Sequence, residues 1–375
     1  MNLAQPSMNA LTDLDAALCW LFAGSPMLDP VEIPLDDALG AVSGSSGSLS
    51  QGCPAVDAAA LDGFAFASND IAGASAYSPA ILTAQPEWVE VGEPMPKGCD
   101  CILEAPCLDA AGPVIQVLCE AIPGQGVRRA GEDIARGRTF EPGRRLTPID
   151  LLAARRSGKS TIAVRQPRLH IIDIGAADGN RSTTALVTDL ARQAGGVTGN
   201  ATTVARDADA VAQALAAASG DLVVAIGGTG NGRADATAEA IALCGSLFSH
   251  GLAIQPGRRT AIGRIGATPV VALPGLPDQA LGAWLMVVQP VLDHMSGLAW
   301  RRSATGRLAR KVASSIGFSE IVLLAFAGDV FQPLATGSFS LDQAAAADAW
   351  LAVPASSEGH AAGAVINAWP LREGA

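Results

Sequence analysis

Glycine-rich and arginine-containing loops are the segments of this sequence whose residue types and spacing could do chemistry. Residues 227–232 read Gly-Gly-Thr-Gly-Asn-Gly and follow the apolar run Leu222–Ile226. Glycines after a parallel strand let backbone amides approach a phosphate, and a following helix directs its positive end at the same anion. The loop has neither the Lys-Ser/Thr pair of a P-loop nor the glycine spacing of a dinucleotide fingerprint. Two interpretations stay open: phosphate or pterin binding, and a tight turn without a ligand.

Two further loops could act with the first one. Arg258 and Arg259 follow the turn Gln255-Pro-Gly. Adjacent guanidinium groups on a rigid turn suit the binding of phosphate or molybdate. The alternative is a solvent-exposed basic turn without a ligand. Leu273-Pro-Gly-Leu-Pro277 ends a predicted strand and precedes a helix. Because ligands of doubly wound sheets bind outside the carboxyl ends of the strands, we expect all three loops at one edge.

Acidic and cysteine clusters are weaker signals. Carboxylates lie in the glycine turns of residues 60–65 and 130–134, where they could bind a divalent metal. Asp and Gly are also common in turns that bind nothing, and we favour this interpretation over a metal site. Cys99, Cys101 and Cys107 lack the paired spacing of a zinc site, so we interpret them as small apolar residues on strands.

Composition limits the classes of function. The chain has 375 residues, of which 49% are hydrophobic and 16% charged, and its net charge is −11. A disordered chain and a single small module are excluded, and binding to nucleic acid is disfavoured by the negative charge. Seven cysteines, acidic residues Asp13 and Asp15 near the start, and the lack of an 18-residue apolar run lead us to expect a cytoplasmic protein without membrane contact.

The pattern of elements predicts an α/β multidomain protein. Strands and helices alternate after residue 166, which indicates a doubly wound, mostly parallel sheet with right-handed crossovers. The predicted domains are a helical N-terminal part (1–43 with 131–166), an inserted β-rich domain (44–130), the doubly wound domain (167–298) and a C-terminal β-barrel-like domain (299–375). Further predicted elements are helices at Leu11–Ala23, Thr184–Ala194, Asp207–Ala218, Ala234–Cys244 and Pro277–Met295, and strands at Leu169–Ile174, Leu222–Ile226, Thr260–Ile265 and Val270–Leu273.

Several motifs in one order resemble a known family. Leu61-Asp-Gly-Phe-Ala65, Gly92–Asp100, Val127-Arg-Arg-Ala-Gly-Glu-Asp-Ile134 and Gly143-Arg-Arg-Leu-Thr-Pro148 are followed by the three loops described above. This order is similar to that of the MoeA and gephyrin E-domain family of molybdopterin molybdenumtransferases, and the resemblance covers nearly the whole chain.

The resemblance implies a homodimer whose pocket lies between two chains. It also implies that the pocket takes adenylylated molybdopterin, cleaves off AMP with Mg²⁺ and inserts molybdate, and that the protein meets molybdoenzymes or other proteins of cofactor synthesis. The catalytic positions are then Asp62, Asp133 and Asp235, and the metal positions are Asp235 and Asp178. The pterin and anion positions are Ser182, Gly227, Gly228, Thr229, Gly230, Arg233, Arg258, Arg259, Pro274 and Pro277.

Departures from the family pattern concern acidic residues. The family's Ser-Thr-Gly-Asp-Glu-Leu segment reads Asp173-Ile-Gly-Ala-Ala-Asp178 here, and Arg233 replaces a carboxylate that would serve the metal. Asp178 is the acidic residue that could compensate. Two functions stay open: an insertase with an altered pocket, and a catalytically degenerate pterin- or nucleotide-binding relative that acts as a chaperone, regulator or scaffold.

Overall fold

The computed structural model of the protein describes residues 11–112, 114–175, 179–328 and 330–372. Its elements are mixed α and β, and the α/β multidomain fold class expected from the sequence is confirmed. Among the described residues, no helix combines the length and the apolar character needed to span a bilayer.

The first helix packs on the doubly wound domain. It spans Leu14–Gly24 and begins after Asp13, whose carboxylate accepts a hydrogen bond from the Asp15 amide at 2.8 Å. Ala17 and Leu21 lie in the same core cluster as the strands of that domain. Trp20 also stacks on Phe248, with ring centroids 4.7 Å apart.

Chain segments on either side of the inserted domain share one small core. Strands Val31–Pro34, Val42–Ser43 and Thr161–Arg165 form an antiparallel sheet with the last strand in the middle. Helix Pro148–Arg156 contributes buried residues to this core and begins with a capping box between Thr147 and Asp150. A single 3₁₀ turn, Leu35–Asp37, follows the first strand.

The inserted part is β-rich, as predicted. It consists of two three-stranded antiparallel sheets and one two-stranded ladder. Cys101 is buried on an edge strand, where its Sγ donates to the Phe66 carbonyl at 3.3 Å. The strands are Ala58–Ala59, Gly63–Phe66, Ser75–Leu82, Glu87–Val89, Cys101–Leu103, Leu108–Asp109, Ile115–Cys119 and Val127–Arg128, with 3₁₀ turns at Ser68–Ile71 and Ala105–Cys107.

The doubly wound domain contains a seven-stranded mixed sheet. Its middle strand, Leu222–Ile226, is buried along its whole length, as an apolar run covered by helices on both faces should be. The other parallel strands are Arg168–Ile174, Val197–Thr198, Thr202–Val204 and Thr268–Leu273; Ala261–Ile265 and Ser246–His250 are antiparallel. Helices Ser182–Gln193, Ala208–Ala217 and Thr237–Cys244 connect them.

The last helix of this domain is continuous but not regular. It runs as Pro277–Ala283, a π-helical turn at Trp284–Val288, and Gln289–Ser296. The π turn is buried throughout, and the helix ends at Gly297, whose φ of 65° suits a left-handed C-cap. The extent predicted for this helix is therefore correct, while its irregular middle was not predicted.

A closed five-stranded barrel forms the C-terminal region. Its neighbours in order are Ser319–Ala327, Val330–Thr336, Ala304–Leu308, Val365–Pro370 and Ala349–Val353, which pairs back to the first. Strand Ile254–Gln255 of the preceding region pairs with the start of Ser319–Ala327. Val312–Ala313, Gly359–His360 and helix Leu341–Ala346 complete the region.

Candidate functional site

The carboxyl ends of the parallel strands meet at one edge of the sheet. Two loop amides extend the hydrogen bonding between neighbouring strands past the strand ends. The Gly175 amide donates to the Val204 carbonyl at 3.0 Å, and the Gly227 amide donates to the Leu273 carbonyl at 2.9 Å. Gly275 lies directly against Gly227, because a Cβ on Gly275 would be 3.5 Å from the Gly227 Cα atom. The glycine loop and the Leu273–Pro277 loop are therefore neighbours, as the sequence predicted.

Thr237 fixes the start of the glycine loop. Its hydroxyl donates to the Gly227 carbonyl at 2.8 Å and its amide donates to the Gly228 carbonyl at 3.0 Å. Gly227 and Gly228 have φ of 99° and 64°, a region that favours glycine. A Cβ on Gly228 would also lie 2.5 Å from the Thr237 hydroxyl oxygen. Backbone conformation and close packing thus both require glycine here.

The amides of residues 228–231 have no hydrogen-bond acceptor among the described residues. Gly228 and Thr229 are nevertheless buried. Buried backbone N–H groups are almost always paired with protein, water or a ligand, since leaving one unpaired costs about 1–3 kcal/mol. This run of successive free donors at a strand end has the composition of an anion-binding loop.

His250 and Arg259 hold the far side of this loop. The His250 imidazole Nε2 hydrogen-bonds the Thr229 carbonyl at 2.8 Å, and Arg259 donates to the Asn231 side-chain oxygen at 2.9 Å. The Arg258–Arg259 turn is thus brought to the glycine loop. Sequence reasoning missed His250; its place a few residues before the Arg258–Arg259 turn was the available signal.

The remaining predicted arginines lie at the surface. Arg233 and Arg258 are exposed, and Arg258 lies over the Phe318 ring with its guanidinium carbon 5.5 Å from the centroid. Arg233 has no hydrogen bond or ion pair within the described part of the chain. An anion at this edge would meet the exposed guanidinium groups of Arg233 and Arg258.

Asp235, a predicted catalytic and metal position, is neutralised by an arginine. Its Oδ1 atom accepts from Arg206 at 2.6 Å and its Oδ2 atom accepts from the Gly232 amide at 2.9 Å. The Asp235 side chain is only 12% exposed, so this pair is shielded from solvent. Arg206 was not predicted, although a charged residue just after the strand Thr202–Val204 could have been recognised.

Asp173 has the same kind of arrangement one strand away. Arg181 donates to its Oδ2 atom at 2.7 Å and the buried Thr184 hydroxyl donates to its Oδ1 atom at 2.8 Å. These bonds position helix Ser182–Gln193, and Thr183 of that helix donates to the Gly275 carbonyl at 2.7 Å. Ser182 is exposed at the helix start and its amide is capped by Asn180.

Pro274 and Pro277 shape the third loop. Pro274 is buried directly after the strand Thr268–Leu273, and Pro277 occupies the first helical position, where its missing N–H costs nothing. They define the path of the loop and offer no polar side chain to a ligand.

The described residues at this edge contain no preassembled cluster of metal ligands. No three His, Cys, Asp or Glu side chains among them converge so that they could hold a metal ion. Both oxygens of Asp235 already have cationic or amide donors. Asp178, Ala176 and Ala177 lie outside the described residues.

Asp62 lies in the inserted domain and Asp133 lies just after it, and the bonds found for these two residues are not to the strand-end loops. Asp62 accepts from the Val91 amide at 2.7 Å, and Asp133 pairs with Arg128 at 3.1 Å. Among the described residues, no hydrogen bond or ion pair joins either carboxylate to the strand-end loops. One chain therefore does not assemble the whole predicted catalytic set through direct bonds.

Comparison with known proteins gives consistent matches along the chain. Residues 10–158 match the MoeA N-terminal region (domain I and II), and residues 176–294 match a probable molybdopterin binding domain. The chain is 28% identical to molybdopterin molybdenumtransferase 2 of Mycobacterium tuberculosis over 91% of this chain and 95% of that relative. A molybdopterin biosynthesis MoeA protein from Pyrococcus horikosii has a similar solved structure, with a TM-score of 0.70 and 25% identity over 96% of this chain and 99% of that one.

Proposed function

We propose that this chain, which belongs to the MoeA family, inserts molybdate into molybdopterin as a molybdopterin molybdenumtransferase of molybdenum cofactor biosynthesis. The matches to both family regions in sequence order support this function, as does the near full-length relative of that name. The structural observation that supports the proposal most directly is the run of amides at residues 228–231, which have no acceptor among the described residues and lie beside Arg259.

These donors suit the charges of the proposed substrates. Molybdate and the phosphate of molybdopterin are oxyanions, and amides with guanidinium groups bind oxyanions through charge-assisted hydrogen bonds. Because the protein's net charge is −11, a local cationic edge is needed to attract such substrates. Arg233, Arg258 and Arg259 supply it.

We further propose that adenylylated molybdopterin is the bound form and that arginines neutralise its phosphates. Arg206 and Arg181 already occupy Asp235 and Asp173, so these carboxylates are engaged by cations of the protein itself. The strand-end arginines then perform the charge neutralisation, and no step of the proposed reaction depends on magnesium.

We propose a homodimer in which the Asp62 and Asp133 turns of one chain complete the edge of the other. In this arrangement the partner chain would bring its carboxylates to the pterin. Within one chain, no direct bond among the described residues joins them to this edge. Apo-molybdoenzymes and other proteins of cofactor synthesis are the proposed partners, and the cytoplasm is the proposed location.

Calorimetric titration with molybdopterin, its adenylate and AMP tests the proposed binding site. Replacing both arginines, Arg258→Ala and Arg259→Ala, should weaken binding of the adenylate by about 2 to 4 kcal/mol, since charge-assisted hydrogen bonds are lost. Arg192→Ala is the matched control, because Arg192 is an exposed arginine on the helix Ser182–Gln193 that pairs with Asp189. Equal affinities of the double variant and the native chain at low salt would contradict the site.

A further inference from the structure

We propose a second anion site, in a cavity where the segments flanking the inserted domain meet, that binds a small tetrahedral dianion, free or as a phosphate monoester. The cavity has a volume of about 240 Å³ and three arginines line it. The lining residues are Ser43, Arg138, Thr139, Phe140, Glu141, Arg144, Arg145, Leu146 and Asp150.

Arg145 is already held in a fixed orientation at this cavity. It donates to the Gly40 carbonyl at 2.7 Å, and its other terminal nitrogen lies 3.9 Å from an oxygen of Asp293. The Arg145 side chain is 30% exposed, so part of its guanidinium still reaches solvent. A positioned guanidinium loses little conformational entropy when a ligand binds.

Arg144 and Arg138 are available to a ligand. Among the described residues, the Arg144 side chain pairs with Glu141 alone, at 3.2 Å, and both side chains of this pair are more than half exposed. Exposed pairs of this kind contribute about 0–1 kcal/mol, so an anion can replace Glu141 easily. The Arg138 side chain forms no hydrogen bond or ion pair within the described residues.

The two carboxylates that line the cavity do not make it a cation site. Asp150 accepts from the Thr147 amide at 2.9 Å and from the Thr147 hydroxyl at 2.6 Å, so one of its oxygens serves the helix cap. Glu141 is the exposed partner of Arg144. Three guanidinium groups against two carboxylates leave a positive lining in a protein of net charge −11.

The size of the cavity selects a small ligand. Sites for drug-sized molecules start at about 300 Å³, so this one suits inorganic phosphate, molybdate or a compact monoester. Guanidinium groups bind tetrahedral oxyanions through paired hydrogen bonds, and the two negative charges of a dianion at pH 7 complement several such groups.

The location indicates what binding would do. Residues 138–146 return from the inserted domain, Ser43 lies on the strand that precedes it, and the Gly143 carbonyl accepts from Ala299 at 2.9 Å. An anion held by Arg138, Arg144 and Arg145 would tie these segments together. Arg145 also lies 3.9 Å from Asp293 of the helix Gln289–Ser296. We therefore expect bound anion to stiffen the joint between the segments that flank the inserted domain and the doubly wound domain.

Calorimetric titration with inorganic phosphate, sodium molybdate and AMP at low ionic strength tests this site. It uses the full chain carrying Arg258→Ala and Arg259→Ala, so that the strand-end pocket does not contribute. We expect phosphate to bind and to slow amide hydrogen exchange in residues 138–146. Adding Arg138→Gln should weaken phosphate binding about tenfold or more through loss of a charge-assisted bond.

The comparison among ligands identifies the source of the anion. Tighter binding of molybdate would indicate a substrate reservoir, whereas tighter binding of AMP would indicate a monoester. Arg192→Gln is the control and should leave the phosphate affinity unchanged. The Arg138 side chain has no hydrogen-bond or ion-pair partner in the described part of the chain, so its variant should fold normally, which thermal unfolding checks. Absence of phosphate binding, or equal affinity in the Arg138→Gln variant, would overturn the proposal while leaving the strand-end function untouched.

Discussion

Arg206 and Arg181 change the chemistry of the strand-end carboxylates. Each forms a hydrogen-bonded ion pair with a shielded aspartate, Asp235 or Asp173, whose side chain is 12% or 5% exposed. The oxygens of each aspartate already accept bonds from a guanidinium and from another donor. Such a carboxylate has little capacity left to bind a divalent cation, which needs several oxygen ligands. The residue types at this edge therefore support anion binding.

A different aspartate makes the inserted domain sensitive to acid. The Ser68 amide and hydroxyl donate to Asp100 at 2.7 and 2.9 Å, and these bonds lower the pKa of Asp100 below its ordinary value of 3.8. A lowered folded-state pKa means that the stabilisation is present above the unfolded pKa and is lost as pH falls through the folded one.

We therefore expect the unfolding midpoint of the native chain to fall more steeply below about pH 4 than that of Asp100→Asn. Thermal unfolding at a series of pH values measures this slope. Asp37, an exposed residue without a side-chain hydrogen bond within the described residues, provides the control variant Asp37→Asn. Parallel curves for Asp100→Asn and the native chain would contradict the expectation.

Sequence alone could identify residues that are defined by their own type and neighbours. The glycines of residues 227–232 and the Arg258–Arg259 turn belong to this class. Arg206 and His250 could not be assigned, because their roles depend on contacts with Asp235 and Thr229, which lie 29 and 21 residues away in the chain. Residue type predicts a donor, but only the fold determines its acceptor.

At the scale of the elements, the loop after the strand Leu222–Ile226 depends on glycine at position 228. Gly228 and Gly266 have similar φ, 64° and 57°, but they differ in surroundings. A Cβ on Gly228 would lie 2.5 Å from the Thr237 hydroxyl, whereas nothing lies within 4 Å of a Cβ on Gly266. Gly266→Ala thus isolates the conformational cost, which should be about 1 kcal/mol.

We expect Gly228→Ala to lower the free energy of unfolding by more than Gly266→Ala, because the steric conflict with Thr237 adds to the strain. It should also weaken pterin binding, while Gly266→Ala should not. Urea unfolding and calorimetry measure the two effects. Equal losses of stability in both variants would show that the Thr237 contact does not constrain the loop.

Periodicity predicted the elements that a local pattern determines. The strand Leu222–Ile226 was predicted with its observed bounds, and the long helix from Pro277 was predicted to within one residue of its end. Strand Ser246–His250 was missed because its burial is mixed and its antiparallel pairing depends on Ala261–Ile265. The packing of Leu14–Gly24 on the doubly wound core is a long-range contact that no local pattern encodes.

At the scale of the whole molecule, the catalytic residues suggested by the family resemblance lie in separate domains. Among the described residues, the hydrogen bonds of Asp62 and Asp133 stay within residues 53–133. The anion-binding loops are instead at the strand edge of the doubly wound domain. A dimer in which the inserted domain of one chain faces this edge of the other would unite them.

We therefore expect a dimer of the native chain at micromolar concentration by sedimentation velocity. Mixing a chain carrying Asp62→Ala with one carrying Arg258→Ala and Arg259→Ala should restore part of the activity, because each heterodimer contains one intact shared pocket. A monomer at these concentrations, or mixtures no more active than the separate variants, would exclude a shared pocket.

The central claim is that arginines neutralise the bound adenylate in place of magnesium. The most direct measurement compares adenylate cleavage and molybdenum insertion with magnesium and with chelator, in the native chain and in the triple variant Ala176→Asp, Ala177→Glu, Arg233→Asp. We expect the native chain to bind the adenylate equally well in both conditions, with magnesium-dependent cleavage weak or absent, and the triple variant to gain a response to magnesium. Native turnover that requires magnesium, at a rate that the triple variant does not exceed, would contradict the claim.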